Sequence, residues 1–162
     1  MKRNSAAAVA RVRVRPVEPQ MADAWLQMRH ALWPEGSLRQ HRKEIAAYFA
    51  GGALDPLAVL VALDAGGSPL GFVELTLRSH AEGCEPGSIA YLEGWYVRPG
   101  LRGQGVGRKL VAAAERWARE RGCSEFASDA WSSNRTSRKA HLALGFQEMG
   151  VIRCFRKKLG RR

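Results

Sequence analysis

Tyr91-Leu92-Glu93-Gly94-Trp95-Tyr96-Val97-Arg98-Pro99-Gly100-Leu101-Arg102-Gly103-Gln104-Gly105-Val106-Gly107-Arg108 is the stretch that decides the fold. Its first seven residues are apolar or aromatic around one acid, the composition of a buried strand. Its last seven hold three glycines and two arginines and open a helix, expected over Arg108–Arg121, in which Leu110, Val111, Ala114, Trp117 and Ala118 share one face. A strand passing through glycine into a helix brings backbone N–H groups and the positive end of the helix dipole to one point. Arg98, Arg102, Arg108 and Lys109 add charge around that turn, and the parts together suit a pyrophosphate. Two other phosphate motifs fail. Leu110 stands where G-x-G-x-x-G needs its last glycine, and no Gly-Lys-Ser/Thr completes a Walker loop.

Working outward, Val12–Val17 alternates apolar and basic residues and reads as an edge strand. Met21–Leu32 has helical apolar spacing and ends before Pro34. Ser37 is a candidate N-cap for a second helix to Phe49, stopped by Gly51-Gly52. Leu57–Leu63 and Leu70–Leu77 form a hairpin around Asp64–Ser68, and Ile89–Val97 is a third long strand. Downstream, Glu125–Ala130 is a short strand and Asn134–Leu144 a helix closed by Gly145. Phe146–Leu159 is the final strand or strand pair, giving the order βααβββαβαββ. One domain is expected over 11–159, between a disordered basic tail at 1–10 and a short basic tail at 160–162.

The formal charge of +11 resembles a nucleic-acid signal until it is mapped. Residues 1–15 and 153–162 carry eleven basic residues and no acid, whereas 16–152 is neutral. Solvated tails explain the charge, so neither nucleic acid nor a membrane is expected as a partner. No apolar run reaches the roughly 18 residues of a membrane helix, and Ala6–Ala10 is too short for a signal-peptide core. A cytoplasmic location follows as the expectation. Cys84, Cys123 and Cys154 have no C-x-x-C spacing and the four histidines no ligand spacing with them, so no metal is expected.

The spacing Arg102-x-x-Gly105-x-Gly107 after the Tyr91–Val97 strand resembles the coenzyme-A motif of the GNAT family of N-acetyltransferases. A second element, Asn134 … Ala140-His141 … Gly145-Phe146, lies at the family's distance downstream. The resemblance spans Val12 to Leu159. It implies an α/β fold with a mixed, mostly antiparallel sheet splayed between its fourth and fifth strands and helices on both faces. It also implies acetyl-CoA as cosubstrate. Trp95, Tyr96 and Val97 would pair with the pantetheine arm like an added strand, and Gly94 is the expected site of a bulge. Arg102, Gly103, Gln104, Gly105, Val106, Gly107 and Arg108 would hold the pyrophosphate, with Asn134 beside the pantetheine. The family's usual tyrosine acid is replaced by His141, which reads equally as an acid or as a packed helix residue.

Three strings narrow the resemblance: Trp25-x-x-Met28-Arg29-x-x-Leu32-Trp33-Pro34, Leu92–Val97, and Ala127-Ser128-Asp129 beside Gly122-Cys123. With Arg153-Cys154-Phe155-Arg156-Lys157 they are similar to bacterial aminoglycoside 6'-N-acetyltransferases, which implies an antibiotic amine as acceptor, resistance as the outcome and a homodimer. A polycationic acceptor calls for carboxylates and aromatic faces. Period 2 places Tyr91, Glu93, Trp95 and Val97 on one face of their strand. Glu93 is the candidate base and acceptor ligand, against the alternative of a buried acid paired with an arginine such as Arg29. Asp129 holds neighbouring ammonium groups or acts as a turn acid. Trp33 is a sugar-facing wall or core, and Glu148 a further acceptor ligand. Cys123 reads as a structural thiol. A protein N-terminus or polyamine as acceptor, and a non-catalytic CoA-binding module, are the rival readings.

Overall fold

The computed structural model describes residues 11–52 and 55–160. Of the tails expected at 1–10 and 160–162, all but Gly160 lie outside the described residues. The chain divides after Asp129 into a large compact unit and a small one.

The large unit is built on a five-stranded sheet in the order β1 (Arg13–Pro16), β2 (Ala58–Leu63), β3 (Pro69–Arg78), β4 (Ile89–Val97), β5 (Phe126–Ser128). The first three pairings are antiparallel and β4–β5 is parallel. β1 is the edge strand that its alternating arginines foretell, with Arg13 and Arg15 exposed while Val12 and Val17 are buried. β2 and β3 are near-continuous apolar runs because helices cover both their faces.

One face takes α1 (Ala22–Leu32) and α2 (Leu38–Phe49). Trp25, Leu26, Met28 and Ile45 pack there on Val59, Val61, Leu63, Phe72 and Tyr96. Ser37 caps α2, its side chain accepting from Gln40 N at 3.1 Å. The other face takes α3 (Val106–Arg119), whose stripe of Val106, Leu110, Val111, Ala114 and Trp117 is buried. Full burial of such side chains contributes roughly 1.5–3 kcal/mol each. This is the expected fold class. The start of α3 falls at Val106, two residues before the Arg108 expected, because Gly105 takes the left-handed conformation (φ 90°) and serves as N-cap.

The small unit holds α4 (Arg135–Ala143), capped by the Asn134 side chain, which accepts from Ser137 N at 3.0 Å. The strand or strand pair expected over Phe146–Leu159 is absent there: residues 146–160 have no regular secondary structure. A strand is held by its neighbour's ladder, and no described residue pairs with this segment. Its apolar side chains are therefore exposed, Phe155 to 91% and Leu159 to 85%.

Candidate functional site

The register of β3 against β4 sets the geometry. Thr76 faces Tyr91 and Leu75 faces Leu92, but Glu74 faces Gly94, so Glu93 is one extra residue in β4. The bulge thus falls on Glu93, next to the expected Gly94. The period-2 assignment fails at this point. Tyr91 and Glu93 stay on the α1 face and Tyr96 joins them there, whereas Trp95 and Val97 turn to the α3 face. Side-chain contacts agree: a Cβ on Gly107 of α3 would lie 2.8 Å from the Trp95 ring. A Cβ on Gly94 would lie 2.6 Å from the Trp33 ring, so the close packing of Trp33 on the bulge requires glycine.

Two carboxylates meet at this bulge, Glu93 on it and Glu74 across from it. Glu74 is 2% exposed. It accepts from Trp25 Nε1 at 2.9 Å and from Arg29 Nε at 2.8 Å. Burial pushes its pKa up, against the lowering influence of Arg29. Arg29 also bonds Glu44 and donates to His41 Nδ1 at 2.8 Å, while His41 Nε2 donates to Trp33 O at 3.1 Å. Its guanidinium lies 5.1 Å from the centre of the Trp33 ring. Arg29 therefore belongs to Glu74, not to Glu93 as the sequence alternative had it.

Glu93 has a different partner. Its carboxylate accepts from Thr76 Oγ1 at 2.5 Å, Arg78 Nε at 3.0 Å and Arg78 Nη2 at 2.7 Å. The Arg78 guanidinium lies 3.4 Å over the Tyr91 ring, and the Tyr91 hydroxyl donates to Asp129 Oδ1 at 2.9 Å. Burial, with the Asp129 carboxylate second, raises the Tyr91 pKa. Glu93 and Asp129 are thereby linked through Arg78 and Tyr91.

Glu93, Arg78 and Trp33 line a cleft of about 530 Å³ whose walls also include Glu35, Glu44, Asp55 and Glu74. Five of the chain's fifteen acids meet two arginines there, so the cleft favours a cation.

The same strand opens on its other side. β5 pairs with β4 only at Ala90–Phe126, Tyr91–Ala127 and Leu92–Ser128. Ser128 Oγ donates to Leu92 O at 3.1 Å, marking where the ladder stops. Residues 93–97 have a strand neighbour on the β3 side alone among the described residues. Beyond them, Gly103 (φ 73°) and Gly105 (φ 90°) turn the chain in conformations that side chains disfavour, with no atom within 4 Å of where a Cβ would stand. The first turn of α3 then presents amides that a helix cannot itself satisfy. Several polar side chains of this turn serve the loop itself. Arg102 Nε donates to Val97 O at 3.1 Å, Gln104 Nε2 to Gly100 O at 2.8 Å, and Arg98 Nε to Pro69 O at 2.8 Å. Lys109 Nζ reaches Val12 O at 3.2 Å, whereas the Arg108 side chain is exposed.

In the small unit, His141 Nδ1 donates to Ser137 O at 2.8 Å and its ring meets Phe146 edge-on at 5.0 Å. Glu148 accepts from Arg138 Nε at 2.7 Å. Cys123 is buried, 3.7 Å from Ser88 Oγ.

Residues 22–146 match the model of the acetyltransferase (GNAT) family. The chain belongs to the GNAT family. The match runs through both the β4–turn–α3 segment and the Asn134–Phe146 segment. An aminoglycoside N(6')-acetyltransferase type 1 from Klebsiella aerogenes is 53% identical over 146 residues, covering 90% of this chain and 96% of its own. Another from Serratia marcescens is 40% identical, covering 85% and 93%. Among solved structures, the aminoglycoside acetyltransferase AAC(6')-Iy bound to a bisubstrate analog, CoA-S-monomethyl-acetylneamine, superposes with a TM-score of 0.83 at 33% identity, covering 91% of this chain and 99% of that one. The AAC(6')-IG enzyme of Acinetobacter haemolyticus gives 0.82 at 32% identity, covering 91% and 99%.

The residues of this GNAT chain fit acetyl-CoA. The strand edge beyond the end of the β5 ladder can take the pantetheine amides as a strand would, and the glycine turn with its helix start suits a pyrophosphate. Sequence reasoning missed Glu74, Thr76 and Arg78. Glu74 carried a signal, since it interrupts the apolar run Leu70–Leu77 just as Glu93 interrupts its own.

Proposed function

We propose that the chain is an aminoglycoside 6'-N-acetyltransferase that moves the acetyl group of acetyl-CoA to the 6'-amine of an aminoglycoside by direct attack in a ternary complex. The observation that carries this reading is the position of Glu93. It sits at the bulge where β4 parts from β5, with its carboxylate in an acidic cleft and the glycine turn at the end of the same strand. The names of the relatives and the aminoglycoside portion of the analog bound by AAC(6')-Iy support the same acceptor.

When bound, acetyl-CoA supplies the thioester carbonyl that the amine attacks. The chain's own residues prepare the encounter. Trp95, Tyr96 and Val97 hold the pantetheine through their backbone, and Gly103 to Arg108 hold the pyrophosphate. The amide of Val97 donates to the acyl oxygen as negative charge develops on it. Glu93 anchors the acceptor's ammonium and takes its proton, directly or through a water, so that the nitrogen lone pair is available. Asp129 holds a further ammonium group, Trp33 backs a sugar ring, and the leaving thiolate, a stable anion, takes its proton from solvent. The enzyme acts in the cytoplasm as a homodimer, and its product is an antibiotic with one cation fewer.

Expression in an aminoglycoside-sensitive bacterium tests the proposal. A rise in tolerated kanamycin or tobramycin is expected, together with CoA release by the purified protein. No rise, and no CoA release with either drug, contradicts it.

A further inference from the structure

The acceptor cleft contains two arginines, and they are held in different ways. Arg29 is locked: its side chain is 12% exposed and bonded to the buried Glu74, to Glu44 and to His41. Arg78 stands at the end of β3 with 42% of its side chain exposed, forked onto a Glu93 carboxylate that is itself 26% exposed. Such a half-exposed ion pair is screened by solvent and only weakly stabilising. A carboxylate offers about four hydrogen-bond sites, and Arg78 with Thr76 fills three of those on Glu93. An ammonium brought to Glu93 therefore meets a carboxylate already occupied by a cation.

Arg78 also has a second seat. Its guanidinium lies against the Tyr91 ring, and Asp129, hydrogen-bonded to that tyrosine, attracts it from the β5 side. Released from Glu93, the side chain can stay stacked on the Tyr91 ring without losing its neutralising charge. The other charged and titratable groups of the cleft are Glu35 and Asp55, together with Glu44, Glu74, Arg29 and His41, the last four committed to the locked network.

Resting on the acceptor reading above, we infer that Arg78 is an internal surrogate for the acceptor's ammonium, occupying Glu93 in the free protein and yielding it when a polycationic amine enters. The exchange of one cation for another keeps the Glu93 carboxylate neutralised throughout. It also sets a threshold, because an acceptor with one weakly held charge has to displace a forked guanidinium, whereas one with several charges gains from the remaining acids. Arg78 is thus a specificity-determining residue.

Calorimetric titration of kanamycin into the CoA-bound protein, alongside steady-state kinetics, tests this with Arg78→Met and Arg78→Lys. In Arg78→Met the acceptor Kd and KM are expected to fall about fivefold, the scale of one half-exposed ion pair, with the acetyl-CoA KM unchanged. Arg78→Lys, which keeps the charge and loses the fork, should fall about twofold on the same scale, and it carries the test if the Met variant does not fold. An unchanged or weaker acceptor Kd in the folded variants overturns the inference while wild-type CoA release leaves the acceptor reading standing. Wild-type protein that neither binds nor acetylates kanamycin overturns that reading and the inference with it.

Discussion

Glu74 and Glu93 stand on adjacent strands and on the same face of the sheet, Glu93 at the bulge and Glu74 across from it, yet they live in opposite regimes. Glu74 is sealed beneath α1 with Trp25 and Arg29 as its donors. Glu93 opens on the cleft with the half-exposed end of Arg78 across it. The first is architecture: a buried charge tolerated because every neighbour answers it. The second is exposed enough to exchange partners, which is what an acceptor site requires. One extra residue in β4 makes the difference, since it turns Glu93 into the cleft while Trp95 and Val97 face α3.

Removing each carboxylate should separate the two regimes. Glu74→Ala leaves the buried Trp25 Nε1 without an acceptor and Arg29 with Glu44 as its one carboxylate, and a loss of about 3 kcal/mol of stability is expected in urea melts. Glu93→Gln should instead melt within about 1 kcal/mol of wild type, but its kcat/KM for the acceptor should fall about 100-fold, with the acetyl-CoA KM unchanged. If Glu74→Ala melted like wild type, or Glu93→Gln kept full activity, the division of labour would be wrong.

A gentler probe acts between the two. Gly94→Ala places a methyl 2.6 Å from the Trp33 ring. Overpacking of about 1–3 kcal/mol follows, and displacement of Trp33 should raise the acceptor KM more than the acetyl-CoA KM. The smallest effect concerns the outer arm of the locked network. Burial pushes the Glu44 carboxyl up, but the bonds from Arg29 and Gln40 outweigh it, and its pKa is lowered overall. A carboxylate lowered on folding adds stability above its unfolded pKa, about 4.3, and loses it as pH falls through the folded value. The melting advantage of wild type over Glu44→Gln should therefore be present at neutral pH and vanish in acid, and an advantage that persists at pH 2 contradicts this account.

The sequence carried the strand–glycine–helix unit, the hairpin and both faces of helices because each rests on local periodicity or on a turn residue. It did not carry the bulge. Period 2 assumes an unbroken ladder, and the extra residue shows only when β3 is laid beside β4. Partner choice was hidden for the same reason: Arg29 is one helix away from both Glu74 and Glu93, and packing alone decides between them. Arg78 directly follows the apolar run Leu70–Leu77, and no local pattern ties it to Glu93. The missing terminal strands have another cause. The residues of 146–160 have strand composition, but composition cannot supply a neighbour for the ladder.

The most direct test of the central claim is the position of the acetyl group on the product. Kanamycin A, incubated with purified protein and acetyl-CoA, should give a single mono-acetyl product whose NMR spectrum places the new amide on the 6'-nitrogen. Glu93→Gln should give the same product at a much lower rate. Acetylation at another nitrogen, or none at all, would contradict the assignment of this cleft to the 6'-amine.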